Sequence, residues 1–306
     1  LSKEMTTDLL DYYNIEYKQI GFHSKTLFGK IFNLITTTIR LCIISSSFRP
    51  DLVLSVAGIN ASFAAKFSGS KSYVLDDTDH STLERTLYGP LAYKVVSPES
   101  SDIYFKEKSV RYSGYHSLFH LHPRYFVPDE KVLREIGVAK GQKYVILRLV
   151  SWNAYHDRSS LVQRKYLDKV INFLRKDYRI FITSEASLPI YLKKYELKIK
   201  FHDIHNVIYF SDLVISEGGT MATEASILGI PTIHVNSLAR KAGVNRELEE
   251  VYGLKIICDN FNEAYEEIKQ ILQIPNVESV WQQKRKKMLK HNIDPNKLII
   301  DMVNNE

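Results

Sequence analysis

The sequence predicts an α/β protein with two Rossmann-like domains facing across a cleft. Three observations carry this. Short β-rich apolar runs alternate with helical patterns almost throughout, the order of βαβ units and parallel sheets. The alternation restarts near Tyr144, after an irregular stretch (residues 112–128) that holds Gly114, Pro123 and Pro128. Finally, a strand runs into Glu217-Gly218-Gly219-Thr220 and straight on into a helix. In doubly wound sheets such turns lie at the carboxyl ends of the strands, where ligands bind.

The elements follow in order. Residues 1–13 read as a helix already in progress and 15–20 as a strand. The first strand of the fold and its loop are therefore expected to be missing from this sequence. A helix over 26–47 ends before Pro50-Asp51, and Leu52-Val53-Leu54-Ser55 forms a short buried strand. Small residues mark a loop and helix over 57–67. The strand 72–75 ends in Asp76-Asp77-Thr78-Asp79-His80, a helix covers 81–91, and the strand 94–97 ends in Pro98-Glu99. The boundary is expected at 124/125, giving domains 1–124 and 125–306. The second half reads as strand 144–149, helix 163–176, strand 179–183, and short helices at 188–195 and within 205–211. Strand 213–215, helix 221–228, and strands 232–235 and 255–258 come next, and two helices close the chain. Gly229-Ile230-Pro231 stops the helix after the glycine-rich turn. There is no internal repeat and no low-complexity tract.

Composition narrows the class. The chain of 306 residues is 44% apolar and 25% charged, ordinary values for a globular protein. A net charge of +6 favours anionic ligands or a weak, peripheral membrane contact, and is too small and scattered to indicate nucleic acid. The run Lys284-Arg285-Lys286-Lys287 is expected as the solvated face of a late helix. Cys42 and Cys258 lack metal-ligand spacing and read as buried reduced thiols, which suits a cytoplasmic protein, at most peripheral at the inner face of a membrane. No uninterrupted apolar run reaches about 18 residues, so no membrane span is expected. Thr36-Thr37-Thr38, Arg40 and Ser45 to Ser47 make the most apolar stretch, 34–47, a surface or core helix.

Several residues could carry chemistry. Gly218 and Gly219 allow a ligand to approach the backbone, and the free N–H groups at the helix start favour an anion. Glu224 lies one helical turn past Thr220 and can face the same ligand. The turn is neither a P-loop, which needs a following lysine, nor the dinucleotide fingerprint. A tight strand–helix connection without a ligand is the plainer alternative. Asp76, Asp77, Asp79 and His80 crowd carboxylates and an imidazole into five residues. Helix capping by Asp79 or Ser81, acid–base work, and a divalent metal on Asp77, Asp79 and His80 all remain open. Arg148, Trp152, His156 and Asp157 follow a strand end and suit a ligand-facing wall, with Trp152 as plain core the alternative. Glu99, at another strand end, is either catalytic or a solvent-facing turn residue.

The segment SEGGTMATEASILGIP (216–231) resembles the donor-binding motif of glycosyltransferases with two Rossmann-like domains, and of the related nucleotide-sugar 2-epimerases. Four stretches in order more closely resemble a bacterial and archaeal family known as domain of unknown function 354. They are LDDTDHSTL (75–83), VVSPE (95–99), RLVSWNAYHD (148–157) and the glycine-rich unit. The resemblance covers nearly the whole chain. It implies a GT-B-like fold with an acceptor-side N-terminal domain and a nucleotide-sugar-binding C-terminal domain. The opening strand with a Pro-His loop has no match here. The epimerases' Thr-Glu-Arg-Pro-Glu run is also absent from VNSLARKAGVNRE (235–247), which weakens the epimerase reading.

The expected function is a glycosyltransferase using a UDP-linked or similar sugar, with a glycan or lipid-linked acceptor, in surface-polysaccharide synthesis. Ser216, Glu217, Gly218, Gly219 and Thr220 would hold the diphosphate and Glu224 the ribose. Arg148, Trp152, His156 and Arg240 would support the substrate, and Asp77, Asp79, His80 and Glu99 are the catalytic candidates. No cofactor or metal is required in this reading. The rivals are a non-hydrolysing 2-epimerase and a non-catalytic nucleotide-sugar-binding protein.

Overall fold

The computed structural model describes residues 4–21, 24, 26–150 and 158–305; for residues 4, 5 and 158–163 it describes the backbone only. The chain divides into two compact units, residues 1–114 with 295–306, and residues 115–294. Each holds one fully parallel sheet, so the expected α/β class with two Rossmann-like domains is the one observed.

The first unit runs α1 (Glu4–Tyr12), α2 (Leu27–Phe48), β1 (Leu52–Val56), α3 (Ile59–Ser68), β2 (Lys71–Leu75), α4 (Thr82–Tyr88), β3 (Lys94–Pro98) and β4 (Ser109–Tyr112). The strand order is β1-β2-β3-β4. Val74, Tyr88, Ala92, Val95 and Ile103 form its buried core. β4 falls in a stretch where no strand was expected. Its backbone pairs with β3 from Val95↔Ser109 to Pro98↔Tyr112, a tertiary contact that its short mixed sequence does not advertise.

Residues 15–20, expected as a strand, form none. The segment is instead pinned to α2, where Arg40 Nη1 donates to the Ile20 carbonyl at 2.8 Å. α2 is the expected helix, with an unexpected distribution of side chains. Its buried residues are the polar Asn33, Thr37 and Ser45, while Leu27, Phe28, Ile31, Phe32, Ile35, Ile39 and Ile43 are exposed. Despite the interrupting polar residues, this 22-residue helix is long and apolar enough to cross a membrane by length and composition alone.

The second unit runs α5 (Leu118–Leu121), α6 (Lys131–Glu135), β5 (Tyr144–Leu149), α7 (Arg158–Leu174), β6 (Arg179–Ser184), α8 (Ile204–Tyr209), β7 (Leu213–Ser216), α9 (Gly219–Leu228), β8 (Thr232–Val235), α10 (Gly243–Arg246), β9 (Lys255–Cys258), α11 (Phe261–Gln273) and α12 (Val277–His291). A last helix, α13 (Pro295–Asn304), belongs to the first unit. Three helices therefore follow β9 where two were expected. Asn276, with φ 51°, separates α11 from α12, and Pro295 opens α13.

The sheet order is β6-β5-β7-β8-β9. Its strands are buried on both faces, as covered parallel sheets require. Val145, Ile146, Leu147, Val214, Ile215 and Ile233 form the centre, and each such side chain contributes about 1.5–3 kcal/mol by leaving water. Tyr115, Leu118 and Leu121 are fully buried in this same core, which places residues 115–121 in the second unit.

Residues 188–195 make only a 3-10 turn at Lys193–Tyr195, because the chain returns to the edge of β6, where Leu197 N–H donates to the Ile182 carbonyl at 2.9 Å. The basic run on α12 is not simply solvated. Lys284 Nζ donates to the Gly253 carbonyl at 2.7 Å and Arg285 Nε to the Ile227 carbonyl at 3.0 Å, leaving Lys286 and Lys287 exposed.

Candidate functional site: the glycine-rich turn and the Glu224 cluster

The order β6-β5-β7 makes the carboxyl ends of β5 and β7 a topological switch point. The chain leaves β5 to one side for β6 and later returns to the other side for β7. Helices leave neighbouring strands there in opposite directions and open a crevice, the usual ligand position in such sheets. Arg148 of β5 is in register with Ser216 of β7, so the glycine-rich turn emerges at this point.

The turn is held by its own polar groups. Ser216 is fully buried, and its Oγ accepts the Gly218 N–H at 3.1 Å and donates to the Gly218 carbonyl at 2.7 Å. Glu217 N–H donates to the Arg148 carbonyl at 2.9 Å, and Glu217 Oε2 accepts the Val150 N–H at 2.9 Å. Ser216 and Glu217 thus build the turn, while Gly219 and Thr220 are exposed at its tip. Among the described residues, no side chain caps α9. The first N–H groups of such a helix lack intrahelical partners and carry the positive end of its dipole. Among the described residues, a Cβ on Gly219 would meet only His234 Cε1 at 3.7 Å, whereas one on Gly218 would press on Val150 Cγ2 at 3.3 Å. Gly218 lets the turn pack closely against Val150, and Gly219 leaves the helix start exposed.

Below the turn lies a polar layer that sequence reasoning missed. His234, on β8, is 1% exposed, and neither ring nitrogen has a hydrogen-bond partner among the described residues. Burial, with the Lys255 charge, pushes its pKa down to about 3 against a weaker pull from the Glu217 backbone. Lys255 is also 1% exposed, and donates to Thr223 Oγ1 at 2.9 Å and Asn245 Oδ1 at 2.5 Å. Burial lowers its pKa to about 7, opposed by Glu249.

Glu224 sits one turn into α9 with its side chain 13% exposed. Its Oε1 lies 3.3 Å from Nε2 of His205 on α8 and 3.6 Å from Nε2 of His120 on α5. The two imidazole rings are 5.0 Å apart, and Phe126 meets His205 edge-on at 6.4 Å. Burial alone would raise the Glu224 pKa, but contact with the two imidazoles holds it down at about 2. Neither histidine was singled out in the sequence. Their only signal was imidazoles on short elements flanking a glycine-rich unit, and their convergence needs three separate helices.

The other candidates are placed as follows. Arg148 pairs with Glu185 at 3.0 Å. Arg240 spends its guanidinium on Glu249, at 2.8 and 2.9 Å, and on the Ile257 carbonyl at 2.7 Å. Trp152 and His156, with Asp157, lie outside the described residues.

In the first unit, Asp77, Asp79, His80 and Glu99 share one edge of the sheet, because they follow the adjacent parallel strands β2 and β3. Asp76 is buried and accepts from Tyr88 Oη at 2.5 Å and Thr78 N–H at 2.9 Å, a structural role. Asp79 Oδ1 accepts the Asp102 N–H at 2.7 Å, and Thr78 Oγ1 lies 3.4 Å from Asp77 Oδ1. The side chain of Ser81, at the start of α4, makes no capping bond. His80 and Glu99 are exposed.

Comparisons with known proteins agree with this architecture. An uncharacterised protein of Methanocaldococcus jannaschii, MJ0665, is 23% identical over 234 residues, covering 74% of this chain and 69% of that protein. Among solved structures, the UDP-GlcNAc 2-epimerase of Neisseria meningitidis, bound to UDP-GlcNAc, matches with a TM-score of 0.68 and 15% identity, over 99% of this chain and 89% of that one. The spinosyn forosaminyltransferase SpnP matches with a TM-score of 0.63 and 11% identity, over 97% and 88%. At such identities the likeness establishes the fold, the two-domain GT-B type. The family described as protein of unknown function DUF354 matches residues 3–306, and the chain belongs to that family.

Proposed function

We infer that this protein is an enzyme that binds a nucleoside-diphosphate sugar and transfers the sugar to a hydroxyl acceptor in glycan or surface-polysaccharide synthesis. The observation that carries the reading is the uncapped, exposed start of α9 at the switch point of the second sheet, with Glu224 one turn further on. The Gly219 and Thr220 backbone would bind the diphosphate. The Glu224 carboxylate would accept from the ribose hydroxyls. The neighbour solved with UDP-GlcNAc supports this donor chemistry.

Catalysis would then need a base for the acceptor hydroxyl. As the base takes the proton, the acceptor oxygen bonds to the anomeric carbon. The bond from that carbon to the diphosphate oxygen breaks, and its electron pair leaves on the diphosphate. The N–H groups at the α9 start stabilise the charge that develops there. His80 is our first choice of base, with Asp77, Asp79 and Glu99 as the other candidates. A cytoplasmic location, with access to nucleotide sugars, is part of this reading.

A second reading, epimerisation at C2 of the sugar, is supported by the coverage of the Neisseria epimerase and by the carboxylates beside His80. Thermal stabilisation against a nucleotide-sugar panel tests the shared core, since a bound ligand raises the melting temperature by mass action. No shift with any nucleotide sugar would refute both readings. Incubation with UDP-N-acetylglucosamine alone then separates them, because epimerisation needs no acceptor and transfer does.

A further inference from the structure

We propose that His120, His205 and Glu224 form a binding site for a divalent transition ion of the zinc class, with one coordination position open to solvent or ligand. The three donor atoms come from three helices of one unit, and all lie within 4.8 Å of one another. Two imidazole nitrogens converge on the same carboxylate oxygen, Oε1, at 3.3 and 3.6 Å.

Distance separates two accounts of this convergence. A charge-assisted N–H···O bond closes to about 2.7–2.9 Å, and neither contact reaches that. A tetrahedral ion with ligands at about 2.0–2.2 Å holds them roughly 3.3–3.5 Å apart, the edge of its tetrahedron. The His205 separation falls within the second range and the His120 separation lies just beyond it. The donor set, two imidazoles and one carboxylate, is also that of zinc sites with three protein ligands and an exchangeable fourth position.

The surroundings agree. The ring of Phe126 stands against His205 and holds it in place. His120 is 48% exposed and His205 23%, so an ion can enter from solvent. Both imidazoles meet Glu224 at Oε1, so a ligand hydroxyl would be met by Oε2. The ion site and the ribose contact can therefore share one carboxylate. The ion site does not depend on the nucleotide reading.

The test uses the full chain, stripped of metal with a chelator, and Co²⁺ or Zn²⁺ alone with no nucleotide. One equivalent of Co²⁺ should bind and give the intense visible bands of tetrahedral coordination, and Zn²⁺ should displace it and raise the melting temperature. His205→Ala and Glu224→Gln should each lower Zn²⁺ affinity by more than the ~10–100-fold that loss of an outer-shell partner costs. His122→Ala, a neighbouring imidazole outside the cluster, should bind as the parent does. If a variant fails to fold, the parent spectrum and stoichiometry still decide. Absence of a stoichiometric tetrahedral Co²⁺ spectrum, or an equal loss in His122→Ala, overturns the site. UDP titration of the stripped protein keeps the two ideas apart: UDP binding without stoichiometric metal sinks the ion site alone, and metal binding without UDP binding sinks the nucleotide site alone.

Discussion

Glu217 Oε2 accepts the backbone N–H of Val150 at 2.9 Å, so the acidic residue of the glycine-rich turn fastens the end of β5 to the turn after β7. Together with the Glu217 N–H bond to the Arg148 carbonyl, it ties the end of β5 to this turn twice. Glu217→Ala should therefore cost about 1–3 kcal/mol of stability through the unpaired Val150 donor, and Glu217→Gln, which keeps an acceptor, clearly less. Urea denaturation measures both. Equal stability of all three proteins would show that the bond does not hold the turn.

The two glycines should separate folding from binding. Gly219→Val sets its Cβ at an ordinary contact distance from His234 beside the helix start, so the protein should keep its melting temperature and lose UDP affinity. Gly218→Val presses on Val150 and should lower the melting temperature as well. Calorimetry with UDP and thermal denaturation of both variants check this pair. Unchanged UDP affinity in folded Gly219→Val would remove the anion site from the start of α9.

His234 predicts an acid-sensitive fold. Its pKa falls from 6.5 to about 3 on folding, through burial and the charge of Lys255. Between these values the unfolded chain binds the extra proton and the folded one does not. The stability from His234 is thus complete above pH 6.5 and declines as the pH falls toward 3. Each unit of pH across that window costs roughly 1.4 kcal/mol. His234→Leu should lack this slope, and its stability relative to the parent should improve steadily on acidification. Parallel stability curves for parent and variant would contradict the assignment.

Turnover should depend on the edge of the first sheet. If His80 is the base, His80→Ala should lower kcat by about 100-fold or more and leave nucleotide affinity unchanged. Asp77→Ala, Asp79→Ala and Glu99→Gln, assayed beside it, identify the base if it is another member of the group. Full turnover in all four variants would move the chemistry away from this edge.

Much of this fold could be read directly from the chain. Alternating periodicity announced most of the strands. The Ser216 to Pro231 unit announced its own strand, turn, helix and stop, because each depends on local chemistry: two glycines, a helical run and a Gly-Ile-Pro break. Local signals failed where an element exists only through its neighbours. β4 is a strand because β3 lies beside it, and residues 15–20 pair with no strand among the described residues. The basic run on α12 looked solvated until the fold brought the Gly253 and Ile227 carbonyls to Lys284 and Arg285. The site divides the same way. The sequence by itself determined the glycine-rich turn and the position of Glu224 on the helix after it, which adjacent residues set. Only the tertiary structure decided that Glu217 is spent on Val150, that His234 and Lys255 lie buried beneath the turn, and that His120 and His205 meet at Glu224. Those relationships join residues as much as 104 positions apart, as His120 and Glu224 are. No periodicity or spacing records such a distance; the packing of α5, α8 and α9 against one core closes it.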